Sequence, residues 1–66
     1  MKTSERVVFA IDKLTKENGY APTMREIAEE VGLKSPSTVY GHMKKLREEG
    51  RISFEPKQVR TARVAP

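Results

Sequence analysis

The sequence predicts a mainly α-helical domain, three helices followed by a small two-stranded antiparallel hairpin, and three observations carry that prediction. Two helix starts lie close together, Thr23 with Glu26 and Ser35 with Pro36, and Gly32 stands between them as a stop. Apolar residues recur at helical spacing from Val7 to Leu46. After Gly50 the period changes to two, with Ile52 and Phe54 alternating with Ser53 and Glu55.

The first helix is expected from about Ser4 to Asn18, with Thr3 or Ser4 as cap and Gly19 ending it. Val7, Val8, Ile11 and Leu14 make its inner stripe. Phe9 lies off that stripe and is expected to be half-exposed, at the domain's edge or against a partner. Tyr20-Ala21-Pro22 forms an extended connector, because the residue before a proline is held out of the α region.

Thr23 and Glu26 have the form of a capping box, so the second helix begins at Met24. Ile27, Ala28 and Val31 are its buried face, Gly32 its left-handed end, and Leu33 turns back to the core. Ser35 then supplies an N-cap oxygen and Pro36 the first position of a third, longer helix, where its missing N–H costs nothing. In that helix Val39, Met43 and Leu46 must face the first two helices. At 100° per residue, Ser37, Gly41, Lys44 and Glu48 lie opposite, flanked by Tyr40 and Arg47 on one side and by Thr38 and Lys45 on the other. Glu55-Pro56-Lys57-Gln58 is a turn, and Ala62 and Val64 share the apolar face of the second strand. Two helices across a tight turn, followed by a hairpin, make a winged helix-turn-helix, expected to be one domain over residues 1–66.

Composition narrows the function classes. A chain of 66 residues is near the lower limit for one apolar core and leaves little room for a deep enzyme pocket. There is no cysteine, hence no disulfide or thiolate metal site. No apolar stretch approaches a membrane span, and a cytoplasmic location is expected. The net charge of +4 is unevenly distributed. Residues 1–33 hold five basic and six acidic side chains, whereas residues 34–66 hold eight basic and three acidic. The positive half coincides with the third helix and the hairpin, which suits a polyanion whose condensed counterions are released on binding.

The expected ligand is double-stranded DNA, with the third helix in the major groove. Ser37, Thr38, Tyr40, Gly41 and Lys44 are the expected base-reading residues. Gly41 costs the helix about 1 kcal/mol relative to alanine, and close approach to DNA is the simplest gain to offset it. Tyr40 can hydrogen-bond a base or pack on a thymine methyl. Thr23, Arg25, Ser35, His42, Lys45 and Arg47 are expected at the sugar-phosphate backbone, joined by Lys57 and Arg60 from the hairpin. Lone His42 has no companions for a metal site, and Glu26, Glu29 and Glu30 have no nucleophile or base beside them, so neither catalysis, a cofactor nor a small-molecule ligand is expected. The competing expectation is a protein-interaction module, an antirepressor or replication adaptor, that does not read DNA sequence.

The run GYAPTMREIAEEVGLKSPSTVYGHMKKLREEGRI resembles the N-terminal DNA-binding domain of LexA-type repressors, especially the Gram-positive form. The Gly-x-x-Pro-Thr connector at Gly19–Thr23, the Arg25-Glu26-Ile27 helix start and the Thr38-Val39-x-Gly41-His42 pattern carry the resemblance. It implies a repressor of the SOS-response type that binds a palindromic operator, usually as a dimer, and a helix-turn-helix with a slightly lengthened turn. Two departures matter. Pro36 replaces a serine of the Gram-positive pattern, and Tyr40 stands at a base-contacting position whose identity varies within the family. The family's self-cleaving C-terminal half has no counterpart here, so the chain is expected to be an excised domain or a small stand-alone regulator that cannot cleave itself.

Overall fold

The computed structural model describes residues 2–66. Three helices, α1 (Thr3–Asn18), α2 (Met24–Val31) and α3 (Pro36–Glu48), precede two short strands, β1 (Ile52–Ser53) and β2 (Arg63–Val64). The strands pair antiparallel, Ile52 opposite Val64 and Ser53 opposite Arg63. This is the winged helix-turn-helix expected from the sequence.

Local chemistry sets the helix ends. Thr23 Oγ1 accepts from the Glu26 N–H at 3.1 Å, and Glu26 Oε1 accepts from the Thr23 N–H at 2.8 Å, completing the capping box. At the other end of α2 the N–H groups of Gly32 and Leu33 both reach the Ala28 carbonyl at 2.9 Å. Gly32 adopts φ 84°, a left-handed conformation that side chains resist, so the sharp turn into α3 depends on glycine there. Ser35 Oγ accepts from the Ser37 N–H at 3.1 Å, with Pro36 inside the first turn. α3 ends in a Schellman pattern: Gly50 N–H donates to Arg47 and Arg51 N–H to Leu46, each at 3.0 Å. The start of α1 departs from expectation. The cap position is Lys2, with no side-chain cap bond, and both Thr3 and Ser4 fall inside the helix.

The core joins all three helices to the hairpin. Val7 and Ile11 of α1, Ile27 of α2 and Val39, Met43 and Leu46 of α3 are fully buried, and Ile52, Phe54 and Ala62 close the cluster from the hairpin. The α1 stripe runs differently from the expected one. Ala10 is buried, while Val8 and Leu14 are only partly covered. Val64 also departs, standing half-exposed beside exposed Phe9 although Ala62 is buried. The paired ladder is too short to press the whole strand onto the helices. A long-range bond absent from local patterns adds to the assembly: Arg6 Nη2 donates to the Val31 carbonyl at 2.7 Å, so α1 caps the C-terminus of α2.

Replacing Met43 with alanine is expected to cost about 2–5 kcal/mol, which for a domain this small leaves little net stability. Urea unfolding followed by circular dichroism checks this, and a loss under about 1 kcal/mol contradicts the assigned core position.

Candidate nucleic-acid interface

The side of α3 turned away from Val39, Met43 and Leu46 is open to solvent. Ser37, Thr38, Gly41, Lys44, Lys45 and Glu48 are exposed, and Tyr40, His42 and Arg47 are half-buried on its flanks. All five expected base-reading residues therefore lie on or beside one continuous face. A Cβ built on Gly41 meets no atom within 4 Å, so packing inside the domain does not require glycine there. The backbone of α3 is accordingly laid bare in the middle of this face.

Tyr40 is held from behind. Its ring meets Phe54 edge-on, with centroids 6.0 Å apart at 88°, and Lys44 Nζ lies 5.9 Å from the Tyr40 ring centre. Phe54 thus supports the flank from the hairpin, a role that its alternating pattern with Ile52 disclosed only as burial. Arg47 lies over the same Phe54 ring at 4.7 Å, and its Nη1 donates to the Phe54 carbonyl at 3.4 Å. Its charge therefore braces the joint between α3 and the hairpin.

Arg60 turns away from the place expected of it. Instead of pointing out from the wing tip, it lies over the Tyr20 ring at 4.7 Å and donates to Glu26 Oε1 at 2.9 Å and to the Ala21 carbonyl at 3.1 Å. With φ 58°, it is the one non-glycine residue among the described residues with a left-handed backbone. Glu26 therefore joins the α2 cap to the wing. The Thr23 N–H, opposed by partial burial and aided by Arg60, holds the Glu26 carboxyl below the usual glutamate range. Thr61 closes the wing loop, its hydroxyl accepting from the Glu55 N–H at 2.8 Å.

Of the other expected backbone residues, Arg25, Lys45 and Lys57 are exposed. Thr23 and Ser35 use their hydroxyl oxygens as helix caps. Among the described residues no three His, Cys, Asp or Glu side chains gather as a metal site, and no helix is long and apolar enough to cross a membrane.

Residues 2–61 match the family described as LexA DNA binding domain. The chain belongs to that family. It is 43% identical to the LexA repressor of Caldicellulosiruptor saccharolyticus over 63 residues, covering 96% of this chain and 31% of that protein. The LexA repressor of Limosilactobacillus reuteri is 43% identical over 60 residues, 91% of this chain and 29% of its own length. That of Staphylococcus epidermidis is 40% identical over 63 residues, 96% and 31%. The chain thus spans about a third of the length of the curated relatives it matches.

Two predictions follow from this geometry. Gly41→Ala should stabilise the free domain by roughly 0.5–1 kcal/mol, because the helix gains propensity and the methyl meets open space. A thermal melt showing a lower midpoint contradicts that environment. Glu26 titrates lower in the folded chain than in the unfolded one, so its contribution is complete above the unfolded value, about 4.3, and is lost as pH falls through the folded one. Glu26→Gln should therefore be less stable at neutral pH and lose less on acidification, as measured by melting from pH 7 to pH 2.

Proposed function

We propose that the chain is a sequence-specific double-stranded DNA-binding module of a transcriptional repressor, reading the major groove with the N-terminal half of α3. The observation that carries this reading is the face of Ser37, Gly41 and Lys44, exposed on a helix fixed by three fully buried side chains and bare of packing at its one glycine. Membership of a DNA-binding domain family supports it. The positive end of the α3 dipole favours an anion, and Ser37 and Thr38 offer exposed hydroxyls beside it.

In this reading Ser37, Thr38, Tyr40, Gly41 and Lys44 face base edges. Arg25, His42, Lys45 and Lys57 meet phosphates, and the hydroxyls of Thr23 and Ser35 lie close to the same strand. Arg47 and Arg60 hold the wing in register and contribute to affinity through that positioning. Two copies bind the two halves of a palindromic operator, and their pairing is supplied on the DNA. Binding alone represses, by occupying the site, and needs no catalytic step from these residues.

Selection of bound duplexes from a random pool should yield one motif repeated as an inverted pair. On that duplex the logarithm of affinity should fall linearly with the logarithm of salt concentration. Lys45→Ala should weaken all DNA similarly and lower the slope by about 1, whereas Tyr40→Ala should relax discrimination at one base pair by roughly 1–3 kcal/mol. Equal affinity for selected and random DNA, or a flat salt response, overturns the proposal.

A further inference from the structure

Met24, the first residue of α2, and Pro36, Ser37 and Tyr40 of α3 together line a shallow open depression at the N-terminal end of the reading face. Its walls are unusual for a surface meant to meet a polyanion. Met24 is partly buried against the core, so the foot of its side chain is anchored. Pro36 carries no N–H, and so this wall presents carbon where another residue would present a donor. The Tyr40 ring is fixed edge-on to Phe54, which limits its swing away from the depression. Hydroxyl groups of Ser37 and Tyr40 supply the polar groups of the lining side chains, and exposed Lys44 lies beside the Tyr40 ring. Met24 and Pro36 also border the neighbouring depression beneath the wing loop, where Thr23 and Arg25 adjoin them. The apolar surface therefore adjoins groups expected to meet DNA.

In the major groove the apolar mark that distinguishes one base from the others is the 5-methyl group of thymine; the remaining base edges offer hydrogen-bond donors and acceptors. An apolar wall set among hydroxyls and cations at the start of a groove-reading helix matches that single group. We propose that this depression is a socket for a thymine 5-methyl, and that Met24, which precedes the reading helix altogether, is a specificity-determining residue together with Pro36 and Tyr40. The inference rests on the DNA-reading function proposed above and adds the chemical identity of one base recognised. Sulfur and unbranched methylenes let Met24 adapt its surface to the methyl, whereas the proline ring and the supported tyrosine ring give the socket fixed walls.

The test uses the selected duplex and the intact chain, with each thymine replaced in turn by deoxyuridine, which removes the 5-methyl and leaves every hydrogen-bonding group in place. One thymine per half-site is expected to lose about fourfold in affinity on this replacement, the worth of one buried methyl group, while the others change little. In Met24→Gln, which keeps the length of the side chain but places an amide in the socket, thymine and deoxyuridine at that position should bind within about 1.5-fold of each other. Circular dichroism establishes that this variant is folded, and the deoxyuridine series on the unaltered chain stands without it. A chain that selects a sequence but has no deoxyuridine-sensitive thymine overturns the socket and leaves the DNA-reading function intact. A sensitive thymine whose penalty is unchanged in Met24→Gln assigns the methyl contact elsewhere and overturns the role of Met24. A chain with no sequence preference overturns both proposals together.

Discussion

The burial of Val39, Met43 and Leu46 is the constraint on which the rest of the structure depends. These three side chains lie on one side of α3 and are completely removed from solvent. Among the described residues α1, α2 and the hairpin cover one side of α3 and leave the other to solvent. Fixing the apolar stripe of α3 therefore fixes what it shows to water. Ser37, Gly41 and Lys44 owe their exposure to the depth at which Val39, Met43 and Leu46 are held, and a one-position shift in that stripe would turn the polar face toward the core.

Charge does two different jobs in the second half of the chain. Lys44, Lys45 and Lys57 extend into solvent and remain available to a polyanion. Arg47 and Arg60 are drawn inward, one across Phe54 and the other between Tyr20 and Glu26. The difference follows from guanidinium chemistry, since a flat cation can lie on a ring and still offer N–H groups to oxygen in its own plane. An isolated two-residue ladder has little stability of its own, so the wing keeps its position through these arginines and through Ile52, Phe54 and Ala62 in the core. Part of the basic excess that suits DNA is thus spent on geometry.

Much of this was legible in the sequence, because the signals are local. Capping boxes, N-cap serines, a left-handed glycine and helical periodicity all act within a few residues, and Thr23, Gly32, Ser35 and the α3 stripe lie where those signals place them. The contacts that escaped prediction link residues far apart in the chain. Arg6 reaches Val31 and Arg60 reaches Glu26 and Ala21, pairs that no window of sequence contains. Arg60 is expected at a phosphate for its position in the hairpin loop, and in the free chain its guanidinium lies against Ala21 and Glu26. Ala10 was missed for a different reason: a small side chain gives a weak hydrophobic signal and is buried because neighbouring helices pack over it. Among the expected site residues, exposure on the α3 face followed from periodicity alone. The depression shared by Met24 and Tyr40 did not, because its walls come from two helices.

The stability of α3 is distributed in a way that suits a helix meant to be approached closely. Its ends are secured by Ser35 and Pro36 at the start and by the carbonyl bonds of Gly50 and Arg51 at the finish. Each of these devices lies at a terminus and leaves the middle of the outward face, around Gly41 and Lys44, free. The middle carries the opposite choice, since Gly41 sacrifices roughly 1 kcal/mol of helix propensity at a place where a methyl group would meet only open space. Packing cannot account for that loss, and neither can a turn, because the position is helical. In the DNA-reading function proposed above, the offsetting advantage is a groove surface that comes nearer to the α3 backbone than a Cβ would allow. In that reading the base edges of the major groove approach between Tyr40 and Lys44, where the helix carries no side chain.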